Sequence, residues 1–117
     1  MALDISLRVT GDTVILDMSG KLWVLDLPLQ KQVQELLTNG CRFFVLNLEK
    51  VDYIDSSGLG QLIAIWTSVR TKNGNLILLH PTVHVRRLLT TTRLQVVFDV
   101  FEDESKARIA VRRDWPA

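Results

Sequence analysis

Three short apolar runs constrain this chain more than anything else in it. FFVLNL (43–48), LILL (76–79) and VVFDVF (96–101) are separated by stretches whose apolar residues recur at helical spacing. Short continuous runs of this kind fit strands covered on at least one face and flanked on both sides, as in a parallel sheet. Between the first two, Leu59, Leu62, Ile63, Trp66 and Val69 make one helical stripe, closed by Asn73-Gly74. Between the second and third, HPTVHVRRLLTTTRL predicts a shorter helix, with Thr82 as its cap and Val85, Leu88 and Leu89 inward. Upstream, Leu3, Ile5, Leu7 and Val9 alternate with polar residues, TGDT (10–13) turns the chain, and Val14, Leu16 and Met18 resume the alternation. That is a hairpin, which Gly20 is expected to end. DLPLQKQVQELLTNG then changes period: Leu29, Val33, Leu36 and Leu37 share a face, Pro28 suits a first turn, and Asn39-Gly40 is a stop. EDESKARIAV places acids before bases, the order a helix dipole favours, and predicts a terminal helix. The order β-β-α-β-α-β-α-β-α predicts an α/β domain whose mixed sheet is built from a hairpin plus βα units.

A chain of 117 residues supports one core, so residues 1–117 are expected to form a single domain. Hydrophobic content of 47% with 23% charge excludes a disordered chain. The net charge of +1 gives no overall pull toward nucleic acid or membrane. Arginines do gather late, at 86, 87, 93, 108, 112 and 113, but Asp99, Glu102, Asp103, Glu104 and Asp114 interleave with them and no aromatic ladder accompanies them. A solvated face is the reading, without direct nucleic-acid binding. Cys41, the one cysteine, allows no internal disulfide and no multi-cysteine metal site, and reads as a reduced core residue. MALDISLRV lacks the basic and apolar regions of a signal peptide, and no apolar run reaches the roughly 18 residues of a membrane span. A cytoplasmic protein is expected.

The stretch IDSSGLGQL (54–62) holds the candidate chemistry. A serine hydrolase would need Ser56 or Ser57 with a histidine and an acid, yet the nucleophile-elbow pattern is absent because isoleucine or aspartate stands where its first glycine belongs. No glycine pair leads into the lysine of a phosphate loop. His80 and His84 have the spacing of a shared metal ligand pair, but His80 precedes Pro81 and is expected to lie before the helix. The acidic cluster and terminal lysine of a phospho-aspartate receiver are missing. What remains is a capping segment: Asp55, Ser56 and Ser57 are all good N-cap residues. A cap needs one of them, and it does not need Gly60, which costs about 1 kcal/mol against alanine inside a helix. A close approach of a partner backbone would account for that glycine. Two exposed hydroxyls at a helix N-terminus are also well placed for phosphorylation, which adds roughly −1.5 to −2 charge beside Asp55.

The stretch VLNLEKVDYIDSSGLGQL strongly resembles the signature of the STAS domain in the form found in bacterial anti-sigma factor antagonists. The likeness continues through NGNLILL and HPTVHVRRLLTTTRLQVVFDVFEDESKA, and SGKL (19–22) fits the family's first quarter. The resemblance implies a single α/β domain with helices chiefly on one side of a mixed sheet. It also implies a partner that is both an anti-sigma factor and an ATP-dependent serine kinase, and a phosphatase of the PP2C type that opposes it. The unphosphorylated antagonist binds the anti-sigma factor and frees the sigma factor. By position the acceptor is Ser56, Asp55 orients it, and Ser57, Gly58, Leu59 and Gly60 form the docking edge. No cofactor, enzymatic activity or resident metal is implied, and the protein is expected as a monomer or weak homodimer. One departure stands out. The family reads Gly-(Glu/Arg)-Leu-Asp after the second strand, whereas GKLWVLD has Lys21 and Trp23 in those places, which replaces an acidic contact by an aromatic one. Trp23 is then either an exposed anchor on the binding face or a cover for the first helix. A STAS module of another kind, a stressosome scaffold or a transporter accessory subunit, is the alternative, and a small hydrolase using Ser56 a remote one.

Overall fold

The computed structural model describes residues 3–23 and 28–113. Val24, Leu25 and Asp26 of the GKLWVLD stretch, and Asp114 of the late charged run, lie outside the described residues. The elements are β1 (Asp4–Thr10), β2 (Thr13–Leu22), α1 (Pro28–Thr38), β3 (Phe43–Ile54), α2 (Ser56–Thr71), β4 (Asn75–Leu79), α3 (Val83–Thr91), β5 (Val100–Phe101) and α4 (Glu104–Arg113), with a single 3-10 turn at Leu94–Val96. The five strands lie in chain order. β1 and β2 are antiparallel, as a two-residue turn dictates, and β2, β3, β4 and β5 are mutually parallel because a helix separates each from the next.

Strand alternation divides the core between the two faces of the sheet. Leu16, Phe44, Leu46, Leu76 and Leu78 face α1, α2 and α3, which contribute Leu29, Val33, Leu37, Leu62, Ile65, Val69, Val85 and Leu89. Ile15, Val45, Ile77 and Leu79 face the other way, onto Ala107 and Val111 of α4. Both faces of the central strands are therefore dry, which is why these strands read as unbroken apolar runs. α4 is also tied down electrostatically. The Arg8 guanidinium on β1 donates to Asp17 Oδ1 at 2.9 Å and to Glu104 Oε1 at 2.8 Å, joining the hairpin to the start of α4. This arginine holds both carboxyls below their usual range.

Three local expectations change. Gly20 does not end the hairpin: β2 runs on to Leu22 through two register shifts against β3, with Gly20 at φ +105°. A glycine can take that conformation cheaply, so the bulge bends the strand without ending it. The run at 96–101 is mostly not strand. Val96 lies in the 3-10 turn, Phe98 drops into the larger core, and only Val100 and Phe101 pair with β4. An apolar run without a period cannot distinguish a strand from a turn that buries one ring. Within α2, Ile63 is 38% exposed and Ile65 takes the inward position. Cys41 packs half-buried against the core. Among the described residues no helix is long and apolar enough to cross a membrane.

Candidate functional site

The bulge in β2 and the length of β3 together build the site. Because β2 continues past Gly20, its last residues pair with the second half of β3, Lys21 opposite Tyr53 and Leu22 opposite Ile54. The two strands deliver Lys21, Trp23 and Asp55 to the same end of the sheet, where α2 begins.

Asp55 is the N-cap. Its backbone is extended, with φ −114° and ψ −173°, and its Oδ1 accepts the Gly58 amide at 2.9 Å. Ser56 and Ser57 occupy the first two helical positions, and both are exposed. Gly58 is buried. A Cβ there would stand 2.1 Å from the Leu22 carbonyl oxygen and 2.8 Å from Ile54, so the start of α2 lies directly on the β2 end only because residue 58 has no side chain. Leu59 is 4% exposed and packs in the larger core. Gly60 is the opposite case: it is exposed, and a Cβ there would meet nothing. Nothing inside the chain requires that glycine.

Gln61 secures the arrangement from below. Its side chain is buried, and Nε2 donates to the Trp23 carbonyl at 2.6 Å, clamping Trp23 to α2. The other amide atom, Oε1, has no partner among the described residues. Trp23 itself is half-buried. Its ring meets Tyr53 edge-on at 6.0 Å, Tyr53 stacks on His84 at 6.0 Å, and the Lys21 ammonium stands 5.4 Å from the Tyr53 ring centre. Lys21 is also 3.7 Å from Asp52. His84 Nε2 is 3.3 Å from the Ile54 carbonyl, which it can reach only as a donor. His80 faces Glu102 instead, so the two histidines do not converge, and Thr82 caps α3 by accepting the Val85 amide.

The sequence-predicted residues Lys21, Trp23, Asp55, Ser56, Ser57, Gly58, Leu59 and Gly60 thus meet at one end of the sheet, with Gly58 and Leu59 beneath and the serines and Gly60 on top. Sequence reasoning missed Gln61, Tyr53 and His84. Gln61 offers no signal, because a polar residue in an apolar helix reads as exposed. Tyr53 could have been suspected from its place in a strand long enough to reach the cap.

Comparison with known proteins bears on this geometry. The STAS domain model matches residues 4–107. A candidate anti-sigma factor antagonist from Thermotoga maritima is 31% identical over 91% of this chain and 96% of its own length. A crystal structure of a candidate anti-sigma factor antagonist from Thermotoga maritima, 31% identical, superposes with a TM-score of 0.85, covering 93% of this chain and 95% of that one. An anti-sigma F factor antagonist from Paenibacillus polymyxa is 25% identical over 92% of this chain and 93% of its own. A Bacillus cell-fate determinant, solved in its phosphorylated form, shares the fold at 23% identity and a TM-score of 0.71, covering 95% of this chain and 100% of that one. The five-stranded mixed sheet, the capped helix α2 and a family match across nearly the whole chain lead to one assignment: this chain belongs to the STAS domain family.

Proposed function

We propose that the protein is an anti-sigma factor antagonist switched by phosphorylation of Ser56. The unphosphorylated form binds an anti-sigma factor that is also a serine kinase, and so releases the sigma factor; a PP2C-type phosphatase restores that form. The observation that carries this reading is the exposed Ser56 hydroxyl, directly after a capping aspartate, on a helix start whose underside is locked. A phosphate there meets free N–H groups and the positive end of the helix dipole, so the fold tolerates it. Toward a docking partner the same group adds charge beside Asp55. Closing an interface over an unpaired charge costs several kcal/mol, which is ample for a switch. Asp55, Ser57 and Gly60 present the docking edge with Lys21 and Trp23, while Gly58 and Leu59 support it from beneath. The relatives named as antagonists support the partner class.

The test uses the purified anti-sigma factor kinase of the same genome with Mg-ATP. Peptide mass spectrometry should map the phosphate to Ser56; phosphate on Ser57, or on neither serine, refutes the assignment. Ser56→Ala should bind the kinase permanently and Ser56→Asp poorly. Equal calorimetric affinities would mean that this loop is not the docking surface.

A further inference from the structure

β3 outruns its neighbour. Its ladder with β4 stops at Asn47 opposite Leu79, so residues 48–54 have β2 on one side and, among the described residues, no strand on the other. The start of α3 takes that place. Thr82 Oγ1 donates to the Val51 carbonyl and His84 Nε2 to the Ile54 carbonyl, each at 3.3 Å. A carbonyl only accepts, so the His84 proton stands on Nε2 in the neutral and the charged ring alike. The imidazole also lies flat against Tyr53, at 6.0 Å and 15° between planes, which fixes its orientation. Thr82 is the α3 cap, and Val85 and Leu89 are its buried residues, so neither capping nor the core calls for a histidine at 84.

These bonds bracket Ser56. Two residues before it, the Ile54 carbonyl is held by α3. Two residues after it, the Gly58 amide is held by Asp55 at 2.9 Å. Because a peptide unit is planar, holding the Ile54 carbonyl also fixes the plane from which Asp55, and then Ser56, leave the strand.

We propose that His84 is a positioning residue for phosphoryl transfer to Ser56, acting through the Ile54 carbonyl. This deepens the antagonist reading and rests on it. In that transfer the Ser56 Oγ forms a bond to the γ-phosphorus of ATP, and the bond from that phosphorus to the β–γ bridging oxygen breaks. ADP leaves, and the hydroxyl proton passes to a base of the kinase. The attacking oxygen has to stand in line with the leaving one. A misplacement of about 1 Å can cost about a hundredfold in rate. With its strand end held by β2 on one side and by His84 on the other, the segment brings its hydroxyl to the kinase already aimed.

The test measures the rate at which the purified anti-sigma factor kinase of the same genome phosphorylates saturating antagonist with Mg-ATP, and the calorimetric affinity without ATP. His84→Phe keeps a ring against Tyr53 and removes the N–H. It should lower kcat by about tenfold or more, with affinity and melting temperature unchanged. His84→Gln returns an N–H donor at similar reach and should recover most of the rate. Thr82→Val removes the bond to Val51 together with the α3 cap, so it should lower the melting temperature and leave kcat unchanged. A parental kcat in His84→Phe, or a weaker affinity with kcat retained, would overturn the positioning role and leave the antagonist reading intact. So would His84→Gln as slow as His84→Phe, or Thr82→Val slowing transfer equally. A parent that takes no phosphate on Ser56 defeats both.

Discussion

The crest and the underside of the α2 N-terminus are made of alternating residues of one short motif, yet they answer to different physics. On the underside, Gly58 lies against the Leu22 carbonyl, Leu59 fills the core and Gln61 holds the Trp23 carbonyl. On the crest, Ser56, Ser57 and Gly60 touch water. The underside is fixed by close packing, where there is no space even for a methyl group. The crest is free of internal demands and so is available for chemistry. A rigid floor holds any group added on the crest in a fixed position. A phosphate added to a mobile loop would be absorbed by rearrangement, whereas one added to this crest is presented.

The largest effect is expected from Gly58→Ala. Its Cβ would stand 2.1 Å from a backbone oxygen, which cannot swing aside as a side chain can. Overpacking of this kind costs up to roughly 3 kcal/mol, and a domain of this size should lose roughly 10 °C of melting temperature. A melting temperature within a degree or two of the parent would show that the floor is not rigid.

Trp23→Ala comes next. A half-buried ring with an edge-on aromatic neighbour contributes less than a core tryptophan. The expected loss is about 1–2 kcal/mol by urea denaturation, well under the roughly 3–5 kcal/mol of a fully buried ring. A loss in the upper range would place Trp23 with the floor rather than the crest.

Arg8→Met tests whether the Ser56 segment is insulated from the far side of the sheet. The three side chains are 31–43% exposed, so solvent screening limits the network to about 1 kcal/mol. The sign follows from the depressed carboxyls. Asp17 and Glu104 bind protons less readily folded than unfolded, so their contribution is complete above the ordinary carboxylate values near 4 and is lost as pH falls through the lower folded values. The stability gap between parent and variant should be constant near neutrality and should shrink below about pH 4. A gap that widens in acid would contradict the assignment, and a changed rate of the proposed Ser56 phosphorylation would break the insulation.

The smallest effect is expected at Gly60→Ala. With open space for the methyl group, helix propensity should raise stability by up to about 1 kcal/mol. The same variant should weaken partner binding if a partner backbone approaches there. Stabilisation with unchanged affinity would return Gly60 to the status of an ordinary surface residue.

Much of this was legible without coordinates. Periodicity separates α1, α2, α3 and α4 from the apolar runs of β3 and β4, because burial on one stripe or on two sheet faces leaves distinct patterns in the chain. The cap at Asp55 and the surplus of hydroxyls after it are local features, readable because capping involves only neighbouring residues. The family match extends that reading, since the signature runs through the cap itself. Other features were illegible for a shared reason. The continuation of β2 past Gly20, the single pair of residues in β5 and the inward turn of Ile65 instead of Ile63 each depend on which strand or core lies opposite, and one segment carries no record of its neighbours.

The order and type of nearly every element, the α/β class, and the cap with its two exposed serines were readable from the chain alone. Those are decided by bonds and burial within a few residues. Only the tertiary structure decided that Gly58 and Gly60, two residues apart, have opposite roles, and that Trp23, Tyr53 and His84, drawn from a bend, a strand and a helix, stand together beside Ser56. The space around a glycine and the company of a ring are set by residues up to tens of positions away. Packing brings them together only when the sheet closes.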